Sequence, residues 1–258
     1  MKEEKFVFKQ FAVGDNALTG MTTQAAGNFA LNGCSAKAFD MADKALALSG
    51  FNGFGNIVMR AETHSDKVFV FGELKNNIST QAVCDGVIYR GQGAAVFFPG
   101  GCPAIAFRDK KANISGILHG GWKSVARGIV DNFLREWEFV GGKKENTQIV
   151  FLPATCKDGA VYKGKGYNYF KKTIFPVIEE IRPLDSFRFI NVIRGYFDEY
   201  QYIKFDLNRL IVSLLMKQGY EDMTDVGGCV CCSDKYWFYD RDDQNGIKYR
   251  NAAFIISG

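Results

Sequence analysis

The sequence predicts an α+β fold, with mixed, largely antiparallel β-sheets flanked by helices in a layered sandwich, as a single domain over residues 1–258. Three observations predict it. Short β-branched and aromatic runs bounded by turn residues recur along the whole chain. Segments with a 3.6-residue apolar period are fewer. The two kinds follow one another without the regular strand–helix alternation that builds a doubly wound sheet. No internal repeat or low-complexity tract is visible, and the polar stretch 140–147, VGGKKENT, reads as a loop.

Taken in order, a first helix is expected from Ser35, a good N-cap, to Ser49, with Gly50 just beyond its end. Strands are expected at 56–60, 67–71, 86–89, 94–98, 104–108 and 114–118. A helix over 123–138 places Val125, Ile129, Phe133 and Trp137 on one face. A strand at 148–152 precedes a helix over 167–182, where Pro176 must sit at a start or a kink because it lacks an N–H. Further strands are expected at 187–193 and 202–205. Asp206 then caps a helix over 207–218, with Leu207, Leu210, Ile211, Leu214 and Leu215 on the 3.6 period and Gly219 closing it. Strands at 236–239 and 252–256 complete the chain.

Bulk properties narrow the function. A chain of 258 residues can bury roughly three quarters of its unfolded surface without covalent staples. The 23 phenylalanines and 11 tyrosines predict an aromatic-rich core. A net charge of +4 with dispersed lysines and arginines speaks against a nucleic-acid-binding stripe, while leaving room for a basic pocket. The opening MKEEKFVFKQ has no apolar segment of the secretory type, and no run of apolar residues is long enough to cross a membrane. Seven cysteines, an odd number without dense spacing, fit free thiols in a reducing cytoplasm. The expected partners are small molecules, with no nucleic acid, no membrane and no obligate protein partner.

Chemistry concentrates around ILHGGWKS, residues 117–124. The chain has two histidines, and one of them, His119, stands where a strand gives way to a helix. Cys102 lies in VFFPGGCPAIAF, between two strands and close enough along the chain for a short connection to bring it beside His119. His64, in RAETHSDKVF, precedes another strand. A thiolate and two neutral imidazoles form a suitable ligand set for Zn²⁺, leaving a fourth position for water. Each piece also has a plain structural explanation: a hydrogen-bonded histidine, a small buried thiol, a tight strand-to-helix turn. Cys229 and Cys232 form one C-x-x-C, but no second pair with ribbon-like spacing follows. They, Cys231, Cys34, Cys84 and Cys156 are expected to be buried packing thiols.

CDGVIYR, AAVFFPGGCPAIAFRD and ILHGGWKSVARGI together resemble the core of the multicopper polyphenol oxidase or laccase-domain family. Its Ala-Asp-Ala-like segment, Ala-Asp-Cys-x-Pro and His-Ala-Gly-Trp-Arg-Gly fall on Asp85, on Cys102-Pro103 and on His119 to Lys123. The family's upstream Gln-Val-His-Gly falls on Glu62-Thr63-His64-Ser65, and its N-terminal elements resemble Thr22-Thr23-Gln24 and Asn32-Gly33. FDLNRLIVSLLMKQGY and CVCCSDKYWFYDRD resemble its C-terminal helix and arginine segment, which places Arg241 on the second arginine. The likeness covers roughly residues 20–256 and is most specific in its Cys and His-x-Gly-Trp elements.

The resemblance implies that the family's zinc ligands map onto His64, Cys102 and His119. It implies a fold similar to that of deamidating bacterial toxins, and zinc-dependent phosphorolysis of purine nucleosides together with adenosine deamination. Asp85 is then the candidate proton shuttle, and Lys123 or Arg241 would hold phosphate by charge-assisted contacts. True multicopper chemistry is not expected, because such centres are built largely from imidazoles and two histidines cannot supply them. Copper in the single site, with slow phenol oxidation, is a lesser expectation. A metal-free alternative makes Cys102 a nucleophile with His119 as its base, in a cysteine hydrolase or an amidase acting on peptidoglycan precursors. A further one makes the zinc purely structural. The sequence departs from the family at Gln24, Glu62, Gly101 and Lys123-Ser124. Gln24 cannot replace a phosphate-clamping guanidinium, so phosphorolysis is the half of the activity that the departures weaken.

Overall fold

The computed structural model of the protein describes residues 5–11, 15–31, 37–48, 55–59, 64–74, 79–159, 161–163, 165–181, 202–242 and 247–258. The fold is a mixed α+β arrangement.

Fourteen strands are described, beginning with β1 (Phe6–Gln10), β2 (Ala17–Thr22), β3 (Asn56–Met59), β4 (Val68–Glu73) and β5 (Thr80–Ala82). The middle of the chain supplies β6 (Gly86–Arg90), β7 (Gly93–Phe97), β8 (Ala104–Asp109), β9 (Ile114–His119) and β10 (Thr147–Phe151). The remainder are β11 (Val161–Lys163), β12 (Tyr202–Lys204), β13 (Met223–Asp225) and β14 (Ala253–Ser257). One six-stranded sheet runs β1-β2-β14-β7-β3-β5, and a second runs β13-β10-β8-β9-β6-β4. Both are antiparallel through most of their width, with parallel pairs at β7-β3-β5, β13-β10 and β6-β4.

Period-two alternation explains the layering. On β8, Ala104 and Ala106 enter the core between the sheets, whereas Ile105 and Phe107 face the opposite side. On β7, Ala95 and Phe97 face inward while Ala94 and Val96 face out. Small inner residues opposite large ones such as Met21, Met59 and Tyr89 let the two inner faces interdigitate. Helices cover the outer faces: α1 (Lys37–Leu48) on the first sheet, and α3 (Ile129–Phe139) and α5 (Leu207–Lys217) on the second, with α2 (Trp122–Ala126) and α4 (Lys165–Ile181) beside them. A short α6 (Tyr239–Asp242) follows near the C-terminus.

The α5 cap is as expected: the Asp206 carboxylate accepts the Arg209 amide at 3.1 Å, and Gly219 takes φ +84° just after the helix. Other expectations are corrected. The helix over 123–138 is two helices, because Gly128 adopts the left-handed conformation (φ 86°, ψ 24°) between α2 and α3. The apolar face survives the break, with Val125, Ile129, Phe133 and Trp137 all in one core cluster. Pro176 lies inside α4, at an exposed position where water can replace the backbone bond that proline cannot make.

Residues 236–239 are not a strand. Tyr236 and Phe238 do point into the core between the sheets, which is the alternation that suggests a strand. Yet the Trp237 amide donates to Asn251 Oδ1 at 3.0 Å and its carbonyl accepts from Asn251 Nδ2 at 2.8 Å. A side-chain amide thus takes the place of a neighbouring strand. The expected strand at 187–193, Ser35 and Gly50 lie outside the described residues. β1, β2, β5, β11 and β13 were not expected. Three of these, β5, β11 and β13, are three residues long, too short to show a period.

Candidate metal centre

Four strand termini meet at one edge of the second sheet, and their register decides which side chains meet there. In the β8–β9 hairpin Ala104 lies opposite His119, and the Gly120 amide continues the ladder to the Pro103 carbonyl at 2.8 Å. Cys102, just before β8, is thereby brought to the end of β9. On the other side of β9 the His119 amide donates to the Asp85 carbonyl at 2.8 Å. The Asp85 amide in turn donates to the Lys67 carbonyl at 3.1 Å, which draws residues 64–67 alongside as β4 begins. The ligand atoms of His64, Cys102 and His119 all lie within 4.8 Å of one another.

Backbone geometry around them is specialised. His64 takes φ +45°, a conformation in which histidine is over-represented but still uncommon, and the Arg127 guanidinium donates to its carbonyl. A Cβ on Gly121 would lie 2.6 Å from His64 Cδ2 and 2.9 Å from His119 Cε1, so only glycine lets the chain pass both rings. Gly101 has φ +154°, and a Cβ there would meet Thr155 Oγ1 at 2.7 Å and the Phe238 ring at 3.0 Å.

Asp85 sits behind His119, with one carboxylate oxygen 2.6 Å from His119 Nδ1. The same oxygen accepts from Ser124 Oγ at 3.2 Å, and the other accepts from Ser65 Oγ at 2.6 Å and from the Ser65 amide. Burial pushes the Asp85 carboxyl upward, but His119 and then Ser65 outweigh it and hold the group below its usual value. Burial likewise disfavours the charged form of His119, yet Asp85 and then Cys102 raise it to about 9. For Cys102, burial is outweighed by His119 and His64, and the thiol is drawn down to about 6. Without metal, these groups therefore favour a thiolate beside an imidazolium. Two imidazoles and a thiolate suit zinc, and Asp85 on Nδ1 leaves Nε2 of His119 as the ligand nitrogen.

The other candidates are elsewhere. Lys123 is exposed on α2, with its ammonium 5.5 Å from the centre of the Trp122 ring. Arg241 is engaged by Asp242 at 2.8 and 2.9 Å and by the carbonyls of Cys231, Ser233 and Tyr236. Gln24 donates to the same Tyr236 carbonyl at 3.0 Å. Glu62, Thr63, Asn32 and Gly33 lie outside the described residues. Sequence reasoning missed Ser65, Ser124 and Arg127, although Ser65 and Ser124 adjoin the histidine motifs and were available as signals.

The thiols need a correction. Cys84 is fully buried, as expected, and burial lifts it to about 12. Cys34 lies outside the described residues. Cys156, Cys229 and Cys231 are only half-buried and Cys232 is exposed, because all four sit in loops beyond the sheet rather than on strands that face its core.

Comparison with known proteins agrees with this architecture. The family model described as multi-copper polyphenol oxidoreductase laccase matches residues 41–257. A Neisseria meningitidis protein superposes with a TM-score of 0.73 at 17% identity, over 98% of this chain and 99% of its own. YlmD of Geobacillus stearothermophilus superposes at 0.75 with 19% identity, over 97% of this chain and 98% of its own. YfiH of Bacillus licheniformis does so at 0.72 with 17% identity, over 94% and 93%. A direct comparison with curated proteins finds no match.

Proposed function

The chain belongs to the multi-copper polyphenol oxidoreductase laccase family, and from that membership we propose that it is a zinc-dependent enzyme acting on purine nucleosides. The observation that supports this most is the grouping of His64, Cys102 and His119 with Asp85 fixed behind one ring. These three residues would hold the metal. Zinc in a three-ligand site supplies Lewis acidity and brings the pKa of a coordinated water towards about 7. Copper, the metal of the family name, also accepts imidazole and thiolate, but two histidines in the chain cannot build several copper centres.

The chain's own residues then have separable tasks. Asp85, fully buried, holds His119 in one tautomer, and its proton-handling role in the reaction is exercised through that ring. Ser65 and Ser124 satisfy its remaining lone pairs, and His119, then Ser65, keeps it ionised against burial. Lys123 supplies the cation for phosphate, while Trp122 beside it is partly buried against the core of the second sheet. Arg241, engaged with Asp242 and three carbonyls, can contact phosphate only by exchanging some of those bonds. The nucleoside class rests on the motif resemblance, and deamination needs fewer anion contacts than phosphorolysis.

The test is a product assay with zinc-loaded protein and adenosine, with and without phosphate, read by liquid chromatography. Inosine in both conditions, or adenine and ribose 1-phosphate only with phosphate, is the expected result. No turnover with one equivalent of zinc confirmed at His64, Cys102 and His119 would overturn the nucleoside assignment.

The line Cys102, His119, Asp85 favours a second reading, a metal-free cysteine hydrolase, because the thiolate–imidazolium pair is the activated form of such a nucleophile. Chelation separates the two. It abolishes a zinc-dependent activity and spares or enhances a thiol nucleophile, which iodoacetamide would instead inactivate.

A further inference from the structure

A second group of metal-ligating side chains lies away from His64, Cys102 and His119. Cys156 follows the strand β10, and Cys229 and Cys232 belong to the C-x-x-C that follows β13. A parallel bridge joins Ala154 to Cys229, and the Val230 amide donates to the Ala154 carbonyl at 3.2 Å. The sulfurs of Cys156, Cys229 and Cys232 consequently all lie within 4.8 Å of one another, with Cys156 and Cys232 at 3.6 Å.

The backbone around Cys229 is the second observation. Its sulfur accepts the Cys156 amide at 3.3 Å and the Cys232 amide at 3.4 Å, and the Cys231 amide also bonds to it. A sulfur surrounded by donors is being treated as an anion, and amide bonds to a ligating sulfur orient it and offset its charge. Arg241 holds the same loop, through the Cys231 and Ser233 carbonyls at 3.3 and 3.1 Å, and brings a positive charge to it. The Cys231 thiol stands at the margin of the group: it hydrogen-bonds to the Cys232 side chain and is packed where a Cβ on Gly159 would come within 2.7 Å of its sulfur.

We propose that Cys156, Cys229 and Cys232 form a second, structural metal site, which takes zinc through three thiolates. Each cysteine loses its proton to solvent as the metal binds, and no oxidant or reductant is needed. A disulfide is the competing use of these thiols, but it requires a two-electron oxidant and joins only two of the three sulfurs. The site also has a consequence for the first one. Thr155, adjacent to Cys156, donates through both its amide and its hydroxyl to the Gly101 carbonyl at 2.9 Å, and Gly101 adjoins Cys102. Metal at the thiol cluster therefore braces the loop that presents Cys102.

The experiment is a metal count on the full chain, purified anaerobically with reductant and incubated with Zn²⁺, by mass spectrometry of the elements. Wild type should hold two equivalents, and C156S/C229S/C232S should hold one. H64A/H119A should also hold one, and its Co²⁺ form should show sulfur-to-cobalt charge-transfer absorption that the triple serine variant in the same background lacks. If H64A/H119A does not fold, the wild-type and triple-serine counts decide alone. A wild-type count of one that the triple serine variant leaves unchanged would overturn the proposal. So would a Cys156–Cys232 disulfide detected by alkylation in the anaerobic protein.

Discussion

The centre at His64, Cys102 and His119 and the thiol cluster at Cys156, Cys229 and Cys232 are assembled in different ways. The first is set by strand register: Ala104 opposite His119 in one ladder and Gly86 opposite Leu118 in the next. Its supporting carboxylate is fully buried. The second is set by one isolated bridge between two loops, and one of its cysteines is exposed. A register shared by several strands cannot shift without exposing a core face, so the first arrangement persists without a ligand. Loops tied by few bonds open more readily, so the second depends more on whatever it binds.

Removing a ligand is the strongest test of this contrast. C102A should abolish stable zinc binding at the strand-end centre while leaving melting temperature within a few degrees of wild type. A collapse of the fold instead would show that this region, too, depends on its ligand. Next in size is D85N, which leaves the shape of the support but removes its charge. Zinc affinity at the strand-end centre, read by competition with a chelating dye, should fall about 10–100-fold. An unchanged affinity would mean that Asp85 does not orient His119.

G121A tests the packing of the two rings. A methyl group 2.6 Å from the His64 ring should cost about 1–3 kcal/mol of stability, measurable by denaturant unfolding, and should weaken zinc binding as the rings separate. The smallest effect is expected at the support of the thiol loop. Burial raises the Asp242 carboxyl, but its bonds to Arg241 and the Phe238 amide hold it below its usual value. A lowered folded pKa means stabilisation that is complete above the unfolded value of about 3.9 and is lost as pH falls through the folded value. D242N should therefore melt slightly below wild type at pH 7, and the gap should close in acid. A gap that persists in acid would assign the loss to packing rather than charge.

The two regions also differ in how far they can be read from sequence. Cys102 and His119 sit at the two ends of one hairpin, so a short connection between expected strands suffices to bring them together. Cys156 and Cys229 are 73 positions apart, and the strands that carry their loops, β10 and β13, pair through a three-residue strand without a detectable period. The C-x-x-C alone lacks the third thiol that Cys156 brings, so its sequence pattern points to no more than a packing role. The same limit explains the segment 236–239, where alternating aromatics are real but Asn251 replaces the neighbouring strand.

By itself the sequence determined the local terms. Among these are the mixed α+β class, the apolar faces of α3 and α5, the Asp206 cap and the candidate ligands His64, Cys102 and His119. Each follows from periodicity, capping chemistry or residue type over a few turns of chain. Only the tertiary structure decided that Asp85 stands behind His119, that Gly128 breaks one helix into two, that Gln24 and Arg241 share the Tyr236 carbonyl, and that four strand ends and two remote loops converge. Those outcomes depend on which strands become neighbours and in which register. That choice is made by burying both faces of two sheets at once, a condition no local pattern contains.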